Sequence, residues 1–167
     1  MMHPHTELRY VGPEIGWGVF ATRPVPCGTI TWALDEFDQV LPPARVAALP
    51  PPQRSQVEEY AYLDARGNYV LCWDLGRYVN HSCEPTSRGV DPAFEIAVRD
   101  IRAGEQVTSD YAELNITGSF ARLCGAPRCR GVVRADDLLR YGPAWDEVVG
   151  AAVPLLGQVG QPLVPFV

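Results

Sequence analysis

Short apolar or alternating runs, interrupted by glycine and proline, dominate the first two-thirds of the chain. Runs of this kind are typical of short β-strands. They predict six strands, at residues 7–11, 18–21, 29–34, 60–63, 69–72 and 94–98. Residues 26–28 and 103–104 are predicted as tight turns before strands, and residues 66–68 as a hairpin connection. The pattern predicts one mostly-β domain.

Between residues 41 and 59 the alternation stops, and proline and alanine become frequent. Proline is favoured at the first position of a helix because its missing N–H would have no partner there. The segment is therefore predicted to be a short helical insertion, with helices at residues 43–49 and 52–60. A further helix is predicted at residues 135–141, where Asp136 and Asp137 lie near the N-terminus and favour the helix dipole.

The chain has 167 residues, of which 47% are hydrophobic, and this is enough for one compact domain with its own core. Its formal net charge is −6. That sign argues against direct nucleic-acid binding, which requires a basic face to neutralise phosphates. It suits a cationic partner, such as a lysine-rich protein segment.

Neither end of the chain has the pattern of a targeting or membrane segment. The first ten residues lack a basic region followed by an apolar run, and no apolar stretch reaches the roughly 18 residues of a membrane span. Residues 150–167 are apolar but are interrupted by proline, glycine and glutamine, which predicts a docked or frayed arm. Five cysteines, an odd number, argue against a disulfide framework, so we expect a reducing, cytoplasmic location.

Residues 78–87, YVNHSCEPTS, place an amide, an imidazole, a hydroxyl and a thiol side by side. Three interpretations compete: a nucleophilic pair of His81 and Cys83, a metal site, or a turn that holds a ligand through its polar edge. A nucleophilic cysteine needs a histidine across a cleft and a third group to orient that histidine. The sequence offers no such third group, so the nucleophile is the weakest of the three.

Three other stretches carry candidate chemistry. Gly16, Trp17 and Gly18 open a strand, and glycine inside a strand marks a bulge or a close approach of a ligand to the backbone. A turn at residues 103–104 leads into a strand that ends on Asp110 and Tyr111. The last stretch holds two cysteines five positions apart, with the knuckle-like spacing of metal ligands: Cys124 and Cys129.

Taken together and in this order, these motifs resemble the SET-domain protein lysine methyltransferases. The resemblance runs from residue 8 to residue 133. It includes residues 64–65, residues 77–85, the pair Asp110-Tyr111, and the post-SET-like residues Phe120, Cys124 and 129–131. The small size resembles compact bacterial and viral members. The resemblance implies a SET domain at residues 8–115, a post-SET-like segment at 116–133, and a C-terminal helix and apolar tail at 134–167.

The resemblance implies a β-clip (SET) fold of small β-sheets with a C-terminal pseudoknot. It implies binding of S-adenosylmethionine (SAM) and methyl transfer to a lysine of a protein substrate, with Tyr111 as the catalytic residue. Tyr111 would also contact the cofactor, together with Gly16, Trp17, Gly18, Asn80 and His81. Such a transfer is an in-line displacement that depends mainly on positioning, so the site needs no strong base.

Three positions depart from the family pattern. Thr86 stands where the family has asparagine, which is expected to alter hydrogen bonding on the cofactor side. Arg122 takes the place of the first post-SET cysteine, so Cys83, Cys124 and Cys129 form a zinc set that lacks a fourth ligand. Reduced thiols in a packed turn are favoured over bound zinc. Ser109 replaces an aromatic that limits the number of methyl groups added, which leaves the methylation state open.

The residues therefore leave three hypotheses for function. The first, favoured by the retained pairs Asn80-His81 and Asp110-Tyr111, is a SAM-dependent lysine methyltransferase. The second is a catalytically degenerate SET module that binds SAM or a protein without turnover. The third is a metal-binding interaction protein built on Cys124 and Cys129.

Overall fold

The structure is a computed structural model, and it describes residues 1–166. Within this range the chain forms short strands that are separated by turns. In chain order they are β1 (Thr6–Gly12), β2 (Gly16–Ala21), β3 (Ile30–Ala33), β4 (Gln39–Leu41), β5 (Tyr62–Leu63), β6 (Tyr69–Leu71), β7 (Asn80–His81), β8 (Ser87–Asp91), β9 (Phe94–Ala97), β10 (Thr108–Ser109), β11 (Ser119–Ala121) and β12 (Val132–Arg134).

These strands form five small sheets, in the orders β1-β2, β4-β6-β5, β3-β9-β8, β7-β10 and β11-β12. All pairs are antiparallel except β7 with β10, which is parallel. The predicted mostly-β class of small sheets is confirmed. The threading that defines a pseudoknot stays a prediction.

The helices are α1 (Pro43–Ala47), α2 (Pro51–Tyr60) and α3 (Asp137–Ala152), and short 3-10 turns lie at Leu75–Tyr78, Tyr111–Glu113, Val153–Leu155 and Val164–Phe166. Helices α1 and α2 lie between β4 and β5, so the predicted helical insertion is confirmed. Both begin with proline near the first position. None of the helices in the described range is long and apolar enough to cross a membrane.

Some predicted boundaries were wrong. Tyr60 was included in both a predicted strand and a predicted helix; the strand assignment was wrong, because α2 continues through Tyr60 until Ala61 becomes extended. The polar strand β8 was not predicted. Helix α3 was predicted to end at residue 141 but continues past Pro143, because the exposed proline leaves the buried Trp145 and Ala152 on the packed side of the helix.

The main core lies between the β1–β2 hairpin and the neighbouring segments. A second cluster joins β3 and β9 to the C-terminal segment through buried Ala152 and Leu163. The side chain of Gln161 also ties this segment down, because it accepts from the Ile30 N–H at 2.8 Å and donates to the Gly28 carbonyl at 2.7 Å. The predicted arm is therefore docked through Gln161 and Leu163.

Candidate active site

The parallel pairing of β7 with β10 brings two distant parts of the sequence together. Asn80 lies opposite Thr108, and His81 opposite Ser109. Immediately after β10, the Tyr111 N–H donates to Nδ1 of His81 at 3.2 Å. The two stretches that the sequence singled out separately therefore form one local structure.

The His81 side chain is fully buried inside this structure. Burial is the main reason that its pKa is lowered to about 4, so the imidazole is neutral at neutral pH. Because Nδ1 accepts from Tyr111, the single ring hydrogen is on Nε2, which lies 3.3 Å from the sulfur of Cys83. The ring of His81 therefore links Tyr111 to Cys83.

The phenol of Tyr111 is held at the end of the same segment. Its hydroxyl donates to the Val79 carbonyl at 2.9 Å, and its ring lies 5.4 Å from His81 and 6.3 Å from Phe120 between centroids. Burial raises the pKa of Tyr111, so the phenol keeps its proton at neutral pH. Since that proton is used by Val79, the oxygen can only accept further hydrogen bonds.

Gly16, Trp17 and Gly18 lie in β2, next to Asn80. The Asn80 amide donates to the Trp17 carbonyl at 2.9 Å, and the Trp17 side chain is half exposed. A Cβ added to Gly18 would come within 2.5 Å of Gln106 Nε2 and 2.9 Å of Asn80 Nδ2. The absence of a side chain at Gly18 therefore lets two amides approach the strand closely.

The buried Nε2 of Gln106 has no hydrogen-bond partner among residues 1–166. Buried polar groups without partners are costly and uncommon, so an unpaired amide beside Gly18 and Asn80 indicates a place where a polar ligand binds. These residues fit the cofactor site that the resemblance implies. Gln106 was not predicted from the sequence, and nothing in the sequence distinguishes it from other strand residues.

Asp110 is fully buried on the other side of this segment. Both of its oxygens accept from the guanidinium of Arg130, at 2.7 and 2.8 Å, and Oδ1 accepts from the Ala112 N–H at 3.2 Å. Arg130 also lies over the rings of Tyr141 and Trp145 in α3. This two-pronged ion pair attaches the segment around Arg130, together with α3, to the strand end that carries Tyr111.

The cysteines are all free thiols, and two of them, Cys83 and Cys124, lie near His81. The Cys83 N–H donates to the Cys124 sulfur, and the Arg130 N–H donates to the Cys83 sulfur, each at 3.3 Å. Donor atoms of His81, Cys83 and Cys124 lie within 4.8 Å of one another. The structure thus contains a His/Cys cluster of a kind that holds metals. The sulfur of Cys129 is not part of this set and contacts the Arg122 carbonyl at 3.7 Å.

The cluster brings three donors together in the described residues, those of His81, Cys83 and Cys124. Structural zinc takes four ligands, whereas Arg122 brings no thiolate and Nε2 of His81 carries a hydrogen. Protein purified without added zinc is therefore expected to contain well below one zinc ion per chain, by plasma mass spectrometry. One zinc ion per chain that remains after dialysis would contradict this expectation. It would indicate that His81 supplies the fourth zinc ligand, beside the three cysteines.

Thr86, one of the off-pattern residues, is buried in the scaffold. Its Oγ1 accepts from the Thr108 N–H at 2.8 Å, which connects the start of β8 to β10. The hydroxyl is therefore engaged within the protein. The Thr86 side chain therefore holds strands together, and the expected change in hydrogen bonding on the cofactor side stays a prediction.

Comparison with known proteins agrees with this geometry. Residues 16–112, more than half of the chain, match the SET domain family. Histone-lysine N-methyltransferase EHMT1 of Homo sapiens is 32% identical over 141 residues, which are 70% of this chain and 10% of that protein. Histone-lysine N-methyltransferase ASHH2 of Arabidopsis thaliana is 30% identical over 94 residues, 48% of this chain and 5% of that protein.

The chain belongs to the SET domain family. It spans a tenth or less of the length of the two relatives, which carry much additional sequence. The finer domain boundaries, at residues 115 and 133, stay predictions.

Substituting Gly18 tests the cofactor side of the site. Gly18→Ala is expected to displace the Asn80 or Gln106 amide, to weaken SAM binding by about tenfold and to destabilise the fold by about 1–3 kcal/mol. Calorimetric titration with SAM and thermal unfolding measure the two effects. Gly12→Ala is the matched control, because a Cβ there meets nothing within 4 Å. Equal SAM affinity in both variants would contradict the prediction.

Proposed function

We propose that this protein transfers a methyl group from SAM to the side-chain amine of lysine in a protein substrate. Family membership supports the reaction class, and the relatives above are named for histone-lysine methylation. The observation that carries the proposal is the Tyr111 hydroxyl, which is fixed by Val79 and positioned through His81.

SAM supplies an electrophilic methyl group on a positively charged sulfur. On the protein side, we assign its binding to the Gly16–Gly18 backbone and to the amides of Asn80 and Gln106. The amide of Asn80 is preorganised, because it is held by the Trp17 carbonyl. The Nε2 of Gln106 has no partner among the described residues and is therefore available to donate to the cofactor. Preorganised polar groups lower the cost of binding because little has to be rearranged.

The role of Tyr111 follows from its hydrogen bonds. Its oxygen accepts an N–H of the lysine amine and so directs the amine lone pair at the methyl group. The phenol cannot take the amine proton for itself, because it is already protonated and its raised pKa keeps it so. Tyr111 therefore orients the nucleophile, and orientation is the main requirement of an in-line displacement.

The partner that we propose is a lysine-containing protein, without direct nucleic-acid contact. The net charge of −6 favours encounter with a basic substrate. A cytoplasmic location stays a prediction.

Incubation with labelled SAM, core histones and total lysate protein tests the function. The expected product is methyl-lysine, identified by mass spectrometry after digestion. No methyl-lysine in any substrate, from a protein that binds SAM by calorimetry, would overturn the enzyme and leave the degenerate binding module. Arg122 and Ser109 are the departures that still favour that second candidate, since Thr86 belongs to the scaffold.

A further inference from the structure

A carboxylate and a hydroxyl form a pair beside the Tyr111 segment. The Ser109 hydroxyl donates to Oε2 of Glu95 at 2.7 Å. Glu95 lies in β9, between Phe94 and the fully buried Ile96, in a strand that is otherwise apolar. Ser109 is buried, and Glu95 is half-buried as a residue. A charged residue in this position calls for a functional explanation, because an apolar residue would pack there at lower cost.

The backbone places this pair on the same side as the Tyr111 phenol. Asp110 is extended, with φ −91° and ψ 115°. Side chains alternate along an extended chain, so Ser109 and Tyr111 lie on one side and Asp110 on the other. The contacts agree, because Asp110 meets Arg130, while Ser109 meets Glu95.

Arg88 is the cationic neighbour that favours the ionised form of the Glu95 carboxylate. Burial is the main cause that raises the pKa of Glu95, and Arg88 opposes this effect. Arg88 is itself paired with Glu113 and lies over the ring of Trp145. The remaining neighbours, Tyr62 and Glu113, add no positive charge, and the pKa of Tyr62 is raised in part by Glu95. In the range that the structure describes, Ser109 is the hydrogen-bond donor to the Glu95 carboxylate.

We propose that Ser109 and Glu95 form a proton relay that deprotonates the target lysine before methyl transfer. The inference rests on the proposed function. The lysine ammonium gives a proton to the Ser109 oxygen as the Ser109 hydrogen passes to Glu95. The products are a neutral amine, an unchanged serine hydroxyl and a Glu95 carboxylic acid. Glu95 then returns the proton to solvent.

The relay answers a specific chemical need. A lysine amine has a pKa of about 10.4, so only about one in a thousand is neutral near pH 7.4. Tyr111 orients the amine but cannot take its proton, so the reaction needs another acceptor for that proton. A base close to the amine removes that proton at neutral pH, and general-base catalysis of this kind contributes about 10²- to 10⁴-fold.

Glu95→Gln tests the relay, because glutamine keeps the shape and still accepts from Ser109. At pH 7.5 the rate of methyl transfer to core histones is expected to fall by about 10²-fold. The loss is expected to shrink towards pH 9.5, as more lysine becomes neutral in solution. Glu58→Gln, which removes an exposed carboxylate of α2, is the matched control and keeps the wild-type rate and pH profile.

Ser109 variants provide a second measurement. Ser109→Ala is expected to reproduce the altered pH profile of Glu95→Gln, and the double variant is expected to be no slower than either single one. Ser109→Thr keeps the hydroxyl and is therefore expected to show the wild-type pH profile of methyl transfer. An unchanged rate for Glu95→Gln, or a loss that is equal at every pH, would overturn the relay. A wild-type protein that methylates no lysine would instead overturn the proposed function and the relay with it.

Discussion

Tyr111→Phe is expected to slow methyl transfer by about 10²- to 10³-fold, the largest loss of activity for any single substitution in this site. The variant removes the phenol oxygen that accepts an N–H of the lysine amine. It leaves the ring in contact with His81 and Phe120, so the local packing is kept. Loss of the hydrogen bond to Val79 is expected to cost only about 1 kcal/mol of stability.

The measurement is the initial rate of label transfer from SAM to core histones, with SAM affinity followed by calorimetry. Tyr141→Phe is the matched control, because Tyr141 is exposed and stacks on Trp145 through its ring. Unlike the relay variants, Tyr111→Phe is expected to be slow at every pH from 7.5 to 9.5. Equal rates for Tyr111→Phe and wild type would remove Tyr111 from the mechanism.

Arg130→Met is expected to produce the largest loss of stability, about 3–5 kcal/mol. Methionine fills a similar volume but leaves the Asp110 carboxylate buried without its two charge-assisted hydrogen bonds. A buried charge without a partner is far more costly than an absent pair. Since Asp110 also caps the turn that begins at Tyr111, methyl transfer is expected to fall as well.

Arg128→Met is the control for this prediction. Arg128 lies two residues away and pairs with Glu84, but its side chain is 86% exposed. Exposed pairs contribute about 0–1 kcal/mol, so this variant is expected to unfold close to the wild-type midpoint. Urea unfolding of the two variants makes the comparison. Similar free energies of unfolding for both would show that the buried pair does not hold the C-terminal segment in place.

Residues 78–87 show how far a motif can be interpreted before the fold is known. The sequence allowed a nucleophile, a metal site or a ligand-holding turn. In the structure, His81 and Cys83 are neighbours, as side-chain alternation in a strand predicts, but the histidine is buried and neutral. Its Nδ1 is used by Tyr111, so the pair lacks the general base that a nucleophilic cysteine requires.

Glu95 and Gln106 are two site residues that the sequence did not single out, for different reasons. Glu95 was detectable in principle, because a carboxylate interrupts the apolar run at residues 94–98. Its partner was not, since Ser109 lies in a different sheet and 14 residues away. Gln106 becomes distinctive only because Gly18 and Asn80 surround its amide.

By itself, the sequence determined the mostly-β class, the helical insertion and the family, together with the glycines, Asn80 and Tyr111 as candidates. Such features are encoded locally, through side-chain periodicity, proline positions and motif order. Only the tertiary structure decided that Thr86 is scaffold, that His81 is a buried link and that Asp110 pairs with Arg130. It also placed Ser109 on Glu95. The physical reason is that each of these roles depends on burial and on partners from other strands, which the parallel β7–β10 pairing and the docked C-terminal segment bring together.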